Sequence, residues 1–224
     1  MSKIKAVLFD LDGTLVNTIK DLANSVNHAL TVHGFATREE NEYKYFVGNG
    51  IAKMVERALP ESARDAETLA TVLATFVEYY NQHSMDTTAP YEGIIELLDA
   101  VRARGIKTAV VTNKVDPAAK EIVRQMFGER FDEIIGQVDG VPVKPDKAMP
   151  VKVMEALGVT PADCIFVGDS SVDVQTGVNC GAYPVGVLWG FRDMDELVSN
   201  GAATVIAKPC ELLQVISDLD ETEE

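Results

Sequence analysis

Cysteine is scarce, and the three present, Cys164, Cys180 and Cys210, stand at no paired spacing. A disulfide framework or a zinc site is therefore not expected, and a reducing cytosol is the simpler setting. Cys164 reads as core. Positive charge is also short, with 20 Lys and Arg against 35 Asp and Glu and a formal net charge of -15. Without a general positive field the chain cannot gather polyanions, which argues against nucleic acid or an anionic membrane as partner and leaves any anionic substrate to local groups. Long apolar runs are missing too. The first run, Ala6 to Phe9, follows Lys3 and Lys5 and is too short for a signal peptide or a membrane span, so a cytoplasmic protein whose first residues already belong to the fold is expected. There is no P-loop, and Gly48-Asn49-Gly50 is no dinucleotide loop, because Lys53 stands where a third glycine is needed and no strand precedes it. His28, His33 and His83 show no ligand spacing and read as packing or surface groups. What remains is 46% hydrophobic and 25% charged, an ordinary globular composition, and 224 residues suffice for one sizeable core plus a smaller unit.

Short apolar, β-branched runs recur at Ala6 to Phe9, Thr108 to Val111, Ile134 to Ile135, Cys164 to Val167, Tyr183 to Val187 and Thr204 to Ile206. Helical patterns separate the later ones, which predicts an α/β fold with a Rossmann-like parallel sheet. The long stretch between the first and second runs breaks this rhythm. Its apolar residues recur at helical spacing: Ile19, Leu22, Val26 and Leu30, then Met54, Val55 and Ala58, then Leu69, Leu73, Phe76 and Tyr80. A helical insertion over 17–89 is predicted, with a core of 1–16 and 90–224 around it. No internal repeat is visible, and the acidic tail from Asp218 to Glu224 reads as a frayed, solvated end.

In open parallel sheets ligands bind beyond the carboxyl ends of the strands, so the residues after each run deserve inspection. The first run ends in Asp10-Leu11-Asp12-Gly13-Thr14, whose two-residue spacing lets both carboxylates project into one crevice while Gly13 permits a tight turn. The second ends in Thr112-Asn113, a hydroxyl and a run of backbone donors suited to an anion. Lys144-Pro145-Asp146 follows the third, and Asp169-Ser170-Ser171-Val172-Asp173 the fourth. Each has a plain structural reading: Asp-Gly pairs form turns, Thr112-Asn113 can cap a helix, Lys144 can lie on the surface and Asp173 on a solvated helix face. The coincidence of four loops at one sheet edge favours function. With Asp10, Asp12, Asp169 and Asp173 set against Lys144, each close like-charge pair costs about 4 kcal/mol at an effective dielectric of about 20. A phosphate dianion needs help to enter such a site, and oxygen ligands of this kind suit Mg2+, which would also bind substrate phosphate oxygens.

Taken together, these segments resemble the haloacid dehalogenase-like superfamily. Asp10-Leu11-Asp12-Gly13-Thr14-Leu15-Val16 is similar to its first motif, Thr112 to its second, Lys144 to its third and Gly168-Asp169-Ser170-Ser171-Val172-Asp173 to its fourth. The resemblance implies that Asp10 is the nucleophile and that Asp12 protonates the leaving oxygen and then deprotonates water. It implies further that Asp10, the backbone carbonyl of Asp12 and Asp169 hold Mg2+, that Thr112, Asn113 and Lys144 bind phosphate, and that Asp173 supports them from behind. Asn17 departs from the aspartate common in the family but lies outside this set. A dehalogenase does not need the second acid and a phosphonate hydrolase usually lacks it, whereas Asp12 is present. Phe46-Val47-Gly48-Asn49-Gly50, Val55-Glu56-Arg57-Ala58-Leu59, Pro90-Tyr91-Glu92-Gly93 and Val110-Val111-Thr112-Asn113-Lys114 resemble segments of phosphoglycolate phosphatases. That implies 2-phosphoglycolate as the small phosphorylated substrate, with Gly48, Asn49 and Gly50 facing it. Sugar-phosphate mutases usually carry an arginine near Ile51. Pyrophosphatase, nucleotidase and sugar-phosphate phosphatase activities stay open, as does a non-catalytic binding module. A phospho-receiver accepts phosphate after a central strand and needs no large insertion. Trp189 and Phe191 read either as flanking the site or as edge packing.

Overall fold

The computed structural model describes residues 3–221. Its strands, in chain order, are β1 (Ala6–Phe9), β2 (Val16–Asn17), β3 (Ala89–Pro90), β4 (Lys107–Val115), β5 (Glu133–Gln137), β6 (Cys164–Gly168), β7 (Tyr183–Val187) and β8 (Thr204–Ile206). The α-helices are α1 (Ile19–Val32), α2 (Glu40–Phe46), α3 (Ile51–Ala58), α4 (Ala66–His83), α5 (Ile94–Ala103), α6 (Asp116–Phe127), α7 (Ala148–Leu157), α8 (Ser171–Cys180), α9 (Met194–Ser199) and α10 (Leu212–Glu221). Two compact units result, Met1–Val16 with Pro90–Glu224, and Asn17–Ala89.

The larger unit is built on a six-stranded sheet in the order β5-β4-β1-β6-β7-β8, with every neighbouring pair parallel. β1 sits between β4 and β6, and its four residues, Ala-Val-Leu-Phe, are all buried, as expected of a central parallel strand covered on both faces. From β1 the chain builds outward to β4 and β5 on one side, then returns to build β6, β7 and β8 on the other. This reversal places the topological switch point, where such sheets bind ligands, at the carboxyl end of β1. On one face Ala6, Leu8, Ala109 and Val111 pack with Met149, Val153 and Leu157 of α7, a stripe at helical spacing.

The smaller unit is helical. α1 buries Leu22, Val26 and Leu30, and α4 buries Val72, Phe76 and Tyr80, with Asp65 capping α4 by accepting from the amides of Glu67 and Thr68. The stripe on α4 is thus centred on Val72 rather than on Leu69 and Leu73, both of which are only half-buried. Buried Asp21 ties the two ends of this unit together by accepting from the amides and hydroxyls of Thr87 and Thr88. Burial alone would raise the Asp21 pKa; these bonds outweigh it and hold the carboxyl below its ordinary value.

Four elements differ from expectation. β4 extends to Val115 and β5 spans five residues, because both strands continue through polar positions that an apolar-run reading stops at. α2 had no apolar signal, since Tyr43 is its one buried residue. The first part of the acidic tail is helical: Asp218–Glu221 completes α10, and Asp220 accepts from the amides of Lys3 and Ile4. Its remaining positions, 222–224, lie outside the described residues.

Candidate active site

The β1–β6 ladder continues one step past the strand, with the Asp10 amide donating to the Val167 carbonyl at 2.9 Å, and this fixes the Asp10 backbone at the sheet edge. A tight loop follows. Its turning point, Gly13, has φ +92, and a Cβ there would lie 2.5–2.7 Å from the Asp169 carboxylate, so both conformation and space demand glycine. The Thr14 hydroxyl donates to Asp169 Oδ1 at 3.3 Å, and Trp189 Nε1 donates to the Thr14 carbonyl at 2.9 Å. The Phe191 amide donates to Asp169 Oδ2 at 2.7 Å. Trp189 and Phe191 therefore belong to the scaffold that orients Asp169.

Asp173 is set by a capping box at the start of α8, where the Ser170 amide and hydroxyl donate to its Oδ2 at 3.1 and 2.6 Å. Its other oxygen accepts from Lys144 Nζ at 2.7 Å, and the same ammonium reaches Asp10 Oδ1 at 2.6 Å. The side chain of Lys144 is 2% exposed. The loop that carries Lys144 is latched by Asn113, whose side-chain amide donates to the Lys144 carbonyl at 3.0 Å and accepts from its N–H at 2.8 Å.

Asn113 stands where β4 departs from regular pairing. Val111 pairs with Ile135 and Val115 with Gln137, so β4 takes four steps where β5 takes two. Such an excess re-aims side chains. Thr112, Asn113 and Lys114 are all buried in consequence, and the Thr112 hydroxyl accepts from the Lys114 amide at 3.2 Å. Lys114 Nζ in turn donates to both oxygens of Asp12, at 3.0 and 3.2 Å.

Carboxylate oxygens of Asp10, Asp169 and Asp173 lie within 4.8 Å of one another, close enough to hold one cation. Burial, then repulsion from Asp173, raises the Asp10 pKa to about 7 against the opposing pull of Lys144. Asp169 is pushed well above its ordinary value by burial and by Asp173 and Asp10. Burial would lower the Lys144 pKa, but Asp10 and Asp173 reverse this and hold the ammonium charged. Counting Asp10, Asp12, Asp169 and Asp173 against Lys144 and Lys114, four negative groups face two positive ones, an excess of two charges. Buried acids that would otherwise retain protons, with a net deficit of two positive charges, fit a divalent cation.

Seven residues singled out in the sequence meet here: Asp10, Asp12, Thr112, Asn113, Lys144, Asp169 and Asp173. Gly48, Asn49 and Gly50 lie in the helical unit on the α2–α3 loop, where Gly48 and Gly50 have φ +116 and +85 and Asn49 accepts from Arg57 at 2.9 Å. Lys114, Thr14 and Ser170 also belong to the site, although the sequence motifs assign them no individual role. Strand alternation carries a signal for Lys114, two residues beyond Thr112, and Ser170-x-x-Asp173 has the spacing of a capping box.

The family profile described as haloacid dehalogenase-like hydrolase matches residues 7–187. A phosphoglycolate phosphatase of Chromobacterium violaceum is 33% identical over 220 residues, covering 96% of this chain and 98% of that protein. An N-acetylmuramic acid 6-phosphate phosphatase of Pseudomonas aeruginosa is 29% identical, covering 96% and 95%. A crystal structure from Lactobacillus delbrueckii subsp. bulgaricus, described as that of a candidate phosphoglycolate phosphatase, superposes with a TM-score of 0.91 at 31% identity, covering 96% of this chain and 99% of that one.

Proposed function

The chain belongs to the haloacid dehalogenase-like hydrolases and is a phosphoric monoester hydrolase, and we propose that it hydrolyses 2-phosphoglycolate to glycolate and phosphate through a phosphoenzyme on Asp10. The observation that carries the mechanism is the pairing of two acids with two lysines at the end of β1: Asp10 on Lys144, and Asp12 on Lys114. In the first step an Asp10 oxygen forms a bond to phosphorus as the ester P–O bond breaks, and Asp12 gives its proton to the departing oxygen. In the second, water attacks phosphorus, Asp12 takes the proton back, and the Asp10 acyl phosphate bond breaks. Thr112 and Lys144 hold the phosphoryl oxygens; Asn113 keeps Lys144 in place through its backbone.

Mg2+ held by Asp10, Asp169 and the Asp12 carbonyl, with Asp173 behind them, would neutralise phosphoryl charge and orient the group for in-line attack. Thr14 and the Phe191 amide fix Asp169 for that task. The functional groups of the larger unit address only the phosphoryl group, so selection of the remainder of the substrate falls to the helical unit and its Gly48-Asn49-Gly50 loop.

The kinship with a sugar-phosphate phosphatase supplies the second reading, N-acetylmuramic acid 6-phosphate or a related sugar phosphate. The experiment is a turnover panel with Mg2+ over 2-phosphoglycolate, N-acetylmuramic acid 6-phosphate, a hexose phosphate, pyrophosphate and p-nitrophenyl phosphate. The highest kcat/KM is expected for 2-phosphoglycolate, and a preference for any other member would replace the substrate assignment. Asp10→Asn should lower kcat by about a thousandfold or more, since an amide cannot form the acyl phosphate. Residual rates within tenfold of the parent would overturn the mechanism.

A further inference from the structure

Buried lysines must be matched by charge, and the site contains two with separate duties. Lys144 bridges Asp10 and Asp173, while Lys114 reaches both oxygens of Asp12 and its side chain is 5% exposed. A lysine that merely balanced the site's charge would have no reason to grip one carboxylate by both oxygens. This contact fixes where the head of Asp12 points, because short bonds from one buried, anchored ammonium to both oxygens hold the carboxylate against swinging to another rotamer. The lysine is itself anchored. Its amide donates to Thr112 Oγ1, and it stands in the segment where β4 gains two residues on β5, so its backbone is placed by the same irregularity that seats Thr112 and Asn113.

We propose that Lys114 is a positioning residue for the acid and base of the reaction: it holds the Asp12 carboxylate in the orientation from which a proton passes to the leaving oxygen and later returns from water. The inference rests on the reading of Asp10 as nucleophile and Asp12 as acid and base. It adds a residue to that reading and separates the two lysines by the acid each holds, Lys144 serving the nucleophile and phosphoryl group and Lys114 serving the acid and base.

Proton transfer has a distinct kinetic signature. An aliphatic ester such as 2-phosphoglycolate needs its leaving oxygen protonated, whereas p-nitrophenolate departs without help, and every phosphoenzyme needs a base for its hydrolysis. Lys114→Met should therefore lower single-turnover phosphoenzyme formation from 2-phosphoglycolate by about a hundredfold, yet lower formation from p-nitrophenyl phosphate by less than about tenfold. The phosphoenzyme should then accumulate. Lys114→Arg, which keeps a donor able to span both oxygens, should recover most of the loss, and Asp12→Asn with Lys114→Met should be no slower than Asp12→Asn alone. Equal losses on both esters, losses that multiply in the double variant, or no recovery with arginine would overturn the role of Lys114. If Asp12→Asn itself shows no dependence on the leaving group, or Asp10→Asn stays active, the underlying reading fails first. Circular dichroism and Mg2+-dependent melting of each variant confirm folding, and Lys114→Arg supplies the kinetic comparison should Lys114→Met unfold.

Discussion

Three glycines define how close the acids of the site can come. A Cβ at Gly168 would lie 2.1 Å from that of Asp173, one at Gly190 would lie 2.3 Å from that of Asp169 and 2.4 Å from the Gly13 carbonyl, and Gly13 itself abuts the Asp169 carboxylate. Gly190→Ala should therefore displace Asp169, destabilise the fold by about 1–3 kcal/mol and raise the half-activating Mg2+ concentration at least about tenfold. A Mg2+ titration of activity reads the effect directly, and an unchanged midpoint would remove Gly190 from the metal scaffold. Proton linkage belongs to the same scale. The Asp10 pKa rises from 3.8 to about 7 on folding, so the folded state holds this proton more tightly than the unfolded state does. Its favourable contribution is complete below the unfolded value and is lost as pH rises through about 7. A cation that replaces the proton should restore stability most where the loss is greatest. The gain in melting temperature from Mg2+ over chelator should grow between pH 5 and pH 8, and a gain independent of pH would contradict the raised carboxyl values.

At the scale of elements, the α2–α3 loop offers the sharpest test of substrate choice. Gly48 and Gly50 both have positive φ, a region that valine enters only with strain, and nothing lies within 4 Å of where a Gly48 Cβ would stand. Valine at Gly48 therefore perturbs the loop backbone rather than a packed neighbour, and valine at Gly50 strains the same loop. It should lower kcat/KM for 2-phosphoglycolate about tenfold while sparing p-nitrophenyl phosphate, because remote binding energy is what is lost. Parallel losses in the two assays would show that the loop does not select substrate. The strands were readable for a simple reason: β1, β6 and β7 are buried on both faces and so are written as unbroken apolar runs. The ends of β4 and β5 were not, because functional strand ends are polar and their hydrogen bonding leaves no mark on hydropathy. The same difference separates the site residues. Asp10, Thr112, Lys144 and Asp169 follow apolar runs and are found by position, whereas the latch of Asn113 on the Lys144 backbone depends on a contact spanning 31 residues. α2 could not be seen at all from periodicity with a single buried side chain.

Across the whole molecule, the site draws on residues from Asp10 to Asp173, and the chain crosses between its two units at Val16–Asn17 and Ala89–Pro90. Among the described residues no helix is long and apolar enough to cross a membrane. The central place of β1 has a consequence for how the protein is made. Of the described strands β1 leaves a ribosome before the others, and its two neighbours begin only at Lys107 and Cys164. At about 5–20 residues per second, β1 waits on the order of ten seconds or more for its second partner. Until β4 emerges both edges of a fully apolar strand await pairing, and until β6 emerges one still does, a hazard for association with other nascent chains. Nascent chains stalled before Cys164 should remain open to protease near β1 and bind holdase chaperones, and protection should appear once β6 and α8 have emerged. Protection already complete in the shorter chains would show that β4 alone is enough to hold β1. The strand that leads into Asp10 is thus made long before it is secured on both sides, so synthesis itself holds back assembly of the acid cluster until Asp169 and Asp173 have arrived.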